Sequence, residues 1–170
     1  DCVKRGLVKE GEDPLKVAAN QLVKDGVTIL HTIGGDDTNT TAADLAAYLK
    51  SNNYNLTVVG LPKTIDNDVP FVSRTFGYLS AVEEATKVIT CAHTEAHSVH
   101  NGIVVVKIMG RNAGFIAAGA TIASQDVNFT LVPEAAFVLD GENGFLAALK
   151  KRVVERAHAV ILVAEGAGQH

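Results

Sequence analysis

Tryptophan is absent, aromatic residues make up only 5% of the chain, and cysteine occurs twice, at Cys2 and Cys91. With so few large aromatics, Ala, Val, Leu and Ile must fill the interior, as they do where helices cover parallel strands. The two cysteines sit in unrelated contexts and form no C-x-x-C pair, which argues against a disulfide framework. Free thiols fit a reducing compartment, so a cytoplasmic location is expected. No apolar run nears the ~18 residues of a membrane span, and no membrane partner is expected. The opening Asp1-Cys2-Val3-Lys4-Arg5 lacks the pattern of a signal peptide. No tract of five basic residues occurs and the net charge is −4, which argues against a nucleic acid partner. Neither G-x-x-x-x-G-K-[ST] nor G-x-G-x-x-G is found, so the standard nucleotide cradles are missing as well. The N-x-T triplets at Asn39, Asn55 and Asn128 carry no weight without secretion.

What is present is an alternation. Of the 170 residues 47% are hydrophobic and 20% charged, enough for one core or for two small cores sharing a sheet system. After a polar lead-in, a helix is expected from Pro14, with Leu15, Val17, Leu22 and Val23 at helical spacing. Strands are expected over 27–33 and 56–60 with a helix over 40–50 between them. A long loop over 61–74 follows. A helix over 75–97 should put Phe76, Leu79, Val82, Ala85 and Ile89 on one face. The second half repeats the pattern: strands over 102–109, 129–132 and 159–164, helices over 113–123 and 143–155. Strand–helix alternation with short unbroken apolar strands implies an α/β fold, mainly parallel sheets with helices on both faces. The expected organisation is two-lobed, 1–98 and 99–170.

In such sheets ligands bind off the carboxyl ends of the strands, and the polar clusters lie there. In Gly34-Gly35-Asp36-Asp37-Thr38-Asn39, two glycines permit close backbone approach to a phosphate. A helix starting near Asn39 would aim its free N–H groups at the same spot. Two carboxylates would repel bare phosphate, and a divalent cation resolves the conflict. A tight turn capped by Asp is the alternative. In Pro62-Lys63-Thr64-Ile65-Asp66-Asn67-Asp68, a carboxylate could act as general base for a hydroxyl and Lys63 could meet phosphate. An Asx-rich surface turn is the alternative. Arg111, in Met109-Gly110-Arg111, could fork onto phosphate, or simply open a helix. Glu134, after Pro133, could hold sugar hydroxyls, or start a helix with that proline. His93, His97 and His100 are best read as residues near a helix C-terminus, where the dipole favours them. A zinc hydrolase built on them is a remote reading. His31 is expected to be packed within its strand.

In this order and spacing the four polar clusters resemble the 6-phosphofructokinase family, and the resemblance covers nearly the whole chain. It implies a phosphofructokinase-like two-lobed fold. Residues 1–98 would carry the donor and metal site, and residues 99–170 the sugar phosphate. It implies Asp36 as the Mg²⁺ ligand and Asp66 as the base for the sugar hydroxyl. Thr64, Ile65 and Asp68 would belong to the substrate and metal loop, with Gly35 and Thr38 beside the donor. Met109, Gly110 and Arg111 would contact fructose 6-phosphate and the transferring group, and Glu134 the sugar. ATP-using members generally carry glycine where this chain has Asp37, and often where it has Lys63. Both positions therefore resemble the pyrophosphate-dependent type. Asp37 would bar a nucleotide's α-phosphate and Lys63 would meet pyrophosphate. ATP as donor, or a non-catalytic regulatory subunit of the same fold, are the alternatives. The family also implies a homo-oligomer, an upstream glycine-rich phosphate loop and downstream basic residues. The 170 residues resemble an internal portion, which alone is not expected to turn over substrate. An arginine that the family often lends to a neighbouring subunit, seven residues before the methionine, is here Gly102.

Overall fold

The computed structural model describes residues 3–168. Cys2 lies outside the described residues, and Cys91 is a free, exposed thiol. The chain divides into two compact units, one running through Lys63 and the other beginning at Thr64.

In the first unit Pro14 opens helix α1 (Pro14–Lys24), where its missing N–H leaves nothing unpaired. Asp13 caps that helix by accepting from Leu15 N at 2.9 Å. Strand β1 (Ile29–Gly34), helix α2 (Asp36–Ser51) and strand β2 (Thr57–Thr64) follow. The strands pair in parallel, from Ile29 opposite Thr57 to Gly34 opposite Pro62. Side chains alternate across a strand. Leu30 and Val58 therefore join Ala19, Leu45 and Leu49 in a core beneath the helices. Ile29, His31 and Ile33 point the other way and are exposed. His31, expected to be packed, is thus a surface residue, because within this unit the helices cover only the Leu30 face.

The second unit holds a two-residue strand β3 (Phe76–Gly77), helix α3 (Tyr78–Ser98), strand β4 (Gly102–Ile108) and helix α4 (Phe115–Ser124). Strand β5 (Phe129–Leu131), helix α5 (Phe145–Arg156) and strand β6 (His158–Ala164) complete it. Its sheet has the order β4-β6-β5, and both pairings are parallel. The central strand β6 is covered on both faces. Val160, Leu162 and Ala164 pack with Ala85, Ile89, Ala92 and Ala96 of α3 and Ala117 and Ala120 of α4. Ala159 and Ile161 pack with Leu149 of α5.

The expected inner face of α3 is only partly observed. Phe76 precedes the helix, and both it and Leu79 are exposed. The buried row is Ala85, Ile89, Ala92 and Ala96. Small residues let the helix lie close to the sheet, so close that a Cβ built on Gly102 would overlap the Ala96 carbonyl oxygen. Among the described residues no helix is long and apolar enough to cross a membrane.

Leu162 is fully buried at the centre of the larger core. Leu162→Ala is expected to cost about 2–5 kcal/mol, by lost transfer energy and the cavity left behind. The exposed Ile33→Ala should cost less than ~0.5 kcal/mol. Urea unfolding of the two variants beside the parent checks both values.

Candidate active site

The first unit gathers one set of polar groups at the carboxyl ends of its two strands. Gly34 ends β1 opposite Pro62 of β2, so the Gly35-Asp36-Asp37-Thr38 turn and Lys63 emerge from neighbouring strand ends. Gly35 is the N-cap and α2 starts at Asp36, not near Asn39. Acidic side chains belong in a first helical turn, where the dipole favours them, and an apolar pattern does not reveal that turn. Neither Asp36 nor Asp37 is therefore the cap. Both are exposed and carry their carboxylates on the helix itself.

The turn is held by its neighbours. The Asn39 side-chain amide donates to the carbonyls of Gly34 at 3.0 Å and Gly35 at 2.7 Å. A Cβ built on Gly34 would overlap the Thr38 side chain, so the glycine is required for Thr38 to fold back over the strand end. Gly60 leaves room in the same way for the Asn39 Oδ1, which a Cβ there would meet at 2.6 Å. Lys63, on β2, is exposed.

The second unit gathers the remaining residues in two places. Strand β2 runs on to Thr64, further than expected, and the loop proper begins at Ile65. Asp66 N donates to Thr64 Oγ1 at 3.2 Å, a local turn of the kind Thr and Asp favour. Yet this is no simple surface turn, because Asp66, Asn67 and Asp68 are all half-buried. Asn67 takes a left-handed backbone, φ 58°, which Asn tolerates well. Its Oδ1 accepts from the Thr75 N–H at 2.8 Å and ties the far end of the loop back to its start. Thr75 is itself buried. Asp66 Oδ1 is buried and has no hydrogen-bond partner among the described residues. Leaving such an oxygen unpaired costs about 1–3 kcal/mol. Ile65 anchors the loop in an apolar groove of about 420 Å³, which Met109, Ile108, Val88 and Ile116 also line. Ile65 and Met109 are thereby brought to one groove.

The second place is the tip of β4. Gly110 has φ +133°, a backbone that L side chains avoid, and a Cβ there would lie 2.5 Å from the Ala113 carbonyl oxygen. The turn is clamped by the residues after β6. Glu165 N donates to the Ile108 carbonyl at 3.0 Å and Gly166 N to the Gly110 carbonyl at 3.1 Å. A Cβ on Gly166 would overlap the Arg111 carbonyl oxygen. Arg111 is exposed and lies outside α4, which starts at Phe115, so it does not open that helix. Glu134 sits in a turn, and no helix begins at Pro133-Glu134. Its Oε1 accepts from the N–H of Gly114, the N-cap of α4, at 2.8 Å. Glu134 is thereby joined to the segment that follows Arg111.

Thr75, Gly114 and Gly166 escaped the sequence-based reading of the site, and Asn39 was read only as the start of a helix. Each acts on a residue several positions or a whole element away. Nothing in the neighbouring residues of the sequence announces these partners. Within the first unit, the exposed carboxylate of Asp36 is an oxygen donor of the kind a divalent ion takes.

Comparison with known proteins places these residues in context. The phosphofructokinase family model matches residues 3–170. The pyrophosphate–fructose 6-phosphate 1-phosphotransferase of Methylomonas methanica is 47% identical, over 99% of this chain and 45% of its own length. The ATP-dependent 6-phosphofructokinase of Borreliella burgdorferi is 44% identical, over 96% of this chain and 38% of its own. The chain thus spans less than half the length of these relatives. Among solved structures, Pichia pastoris phosphofructokinase in the T-state superposes with a TM-score of 0.74 at 27% identity, covering 90% of this chain and 17% of that one.

The Asn67–Thr75 tie is open to direct test. Asn67→Ala should cost about 1–3 kcal/mol, because it strands a buried N–H and places alanine in a left-handed backbone. Asn67→Asp keeps the acceptor and should cost less. Unfolding free energies, with hydrogen exchange at the Thr75 amide, measure both effects.

Proposed function

The chain belongs to the phosphofructokinase family, and from that premise we propose that the protein moves a phosphoryl group from pyrophosphate to the 1-hydroxyl of fructose 6-phosphate. The products are phosphate and fructose 1,6-bisphosphate, in a step near reversibility. The observation that carries the proposal is Asp66 Oδ1, a buried carboxylate oxygen with no hydrogen-bond donor of its own. An acceptor kept unpaired at a stability cost is suited to a hydroxyl proton that arrives with substrate.

Asp66 takes the proton of the sugar's 1-hydroxyl as that oxygen bonds to the terminal phosphorus of pyrophosphate. The bond from that phosphorus to the bridging oxygen breaks, and phosphate leaves with the bond's electron pair. Asp36 would hold a divalent ion, Mg²⁺ by its preference for carboxylate and phosphate oxygens, and the ion would supply neutralising charge to the donor. Lys63 meets the pyrophosphate as a point charge, and Arg111 spreads its fork over the transferring group. Gly35 and Thr38 line the donor side, and Thr64, Ile65 and Asp68 the substrate and metal loop. Met109, Gly110 and Glu134 bind the sugar phosphate. Donor and metal functions fall to residues 1–98 and sugar-phosphate binding to residues 99–170. The protein works as a cytoplasmic homo-oligomer. Exposed apolar residues such as Ile103 and Val105 on β4 are of the kind another subunit covers.

Asp37 supports pyrophosphate as donor. Its carboxylate sits in the first turn of α2 and is exposed, so a nucleotide's α-phosphate brought beside it would meet negative charge. The similarity to an ATP-dependent enzyme at 44% identity favours ATP as the second reading. The intact protein, assayed with each donor, should turn over with pyrophosphate and at least ~100-fold more slowly with ATP. Replacing Asp37→Gly and Lys63→Gly together should raise turnover with ATP at least tenfold. ATP preferred by the unaltered protein would overturn the donor assignment. No transfer from either donor would overturn the reaction.

A further inference from the structure

At the opposite end of the second unit's sheet, three imidazoles come together. His93 and His97 lie one turn apart on α3, and His158 is the first residue of β6. The ring centroids are 3.9 Å apart for His97 and His158, 4.5 Å for His93 and His97, and 5.6 Å for His93 and His158. A ligating nitrogen of each lies within 4.8 Å of those of the other two. Asp126, between α4 and β5, brings Oδ1 to 3.9 Å from His93 Nδ1. That nitrogen is buried and has no hydrogen-bond partner among the described residues.

We propose that His93, His97 and His158 form a binding site for a divalent ion of the imidazole-preferring class, zinc foremost, with the Asp126 carboxylate as fourth donor. Three nitrogens and one carboxylate oxygen suit tetrahedral zinc. With Zn–N near 2.0–2.1 Å the donors would stand about 3.3 Å apart, so the rings must close by at most ~1.5 Å. Side-chain rotation on a fixed backbone supplies that movement. His158 is already oriented: its Nδ1 lies 3.0 Å from the Arg156 carbonyl. A proton on Nδ1 leaves the lone pair on Nε2, the arrangement usual for a metal-bound imidazole. His97 has its pKa lowered by desolvation and by facing His158 and His93, which favours the neutral rings a metal requires. The competing contact is Arg152 Nη2, 3.4 Å from His158 Nε2. It is long, and Arg152 Nε has no partner, so the guanidinium can swing aside.

This ion would lie at the opposite end of β4 from the Met109-Gly110-Arg111 turn. His158 pairs with Gly102 at the start of β4, whereas Met109-Gly110-Arg111 follows its last residue, Ile108. Seven strand residues separate the two ends by about 20 Å. The ion would cross-link α3, β6 and the α4–β5 connection, and so stabilise the unit without touching substrate.

The test uses the intact protein, stripped with chelator and kept in millimolar Mg²⁺ to fill oxygen-donor sites. Zinc binding is measured by equilibrium dialysis with metal analysis, and stability by thermal unfolding. About one equivalent of zinc is expected, with a rise in Tm. Binding should weaken at least about tenfold in His158→Gln and in His97→Ala, whose side chain is exposed enough to fold without harm. Asp36→Asn should leave zinc binding unchanged. Substoichiometric binding, undiminished binding in His97→Ala, or loss of zinc in Asp36→Asn would each overturn the assignment.

Discussion

Parallel strand pairing is the constraint on which the rest depends. In a parallel sheet every strand delivers its carboxyl end to the same edge. Within each unit the polar loops therefore emerge at one edge. In the second unit the central strand β6 fixes this arrangement. It is buried on both faces and held in register with β4 from His158 opposite Gly102 to Ala164 opposite Ile108. A slip of one residue would turn Val160 and Leu162 away from the α3–α4 core and Ile161 into it. The same register lets Glu165 and Gly166, just past β6, clamp the turn at Gly110 and Arg111. In the first unit the pairing of Gly34 with Pro62 does the equivalent for the acidic turn and Lys63.

Three positions in the candidate site segments lie where the structure bears a local constraint or cost. Gly110 needs a backbone closed to other residues, Asn67 sits in the left-handed region, and Asp66 Oδ1 is buried without a partner. Each is tolerated because rigid elements flank it: β4 and α4 around Gly110, β2 and α3 around the loop of Asp66. Strain of this kind gathers where a site must be preformed. The alanine-rich inner face of α3 has the opposite character. Its packing is purely apolar, which secures the strands whose ends carry the polar groups.

Much of this was legible in the sequence. The alternation of apolar strands and amphipathic helices gave the α/β class and the order of elements, since both periods are local properties. The four polar clusters were legible because each sits in consecutive residues at a strand end. Boundaries were less so. Asp36 and Asp37 look like loop until the helix dipole is considered, and Lys63 and Thr64 look like loop although β2 runs through them. Phe76 and Leu79 promised burial by spacing, but Phe76 precedes α3 and the buried row of the helix begins only at Ala85. Contacts across long stretches of chain were not legible at all. Nothing near Glu134 announces that it accepts from Gly114. Likewise, nothing near His93 and His97 announces His158. His31 failed for a related reason, since its strand's periodicity cannot say which face a helix will cover.

The central claim is that Asp66 is the base of a phosphoryl transfer, and replacing that one carboxylate tests it most directly. In the intact protein Asp66→Ser should keep fructose 6-phosphate binding within about threefold while kcat falls by about 10²–10⁴. A kcat within threefold of the parent, with the fold intact, would contradict the account.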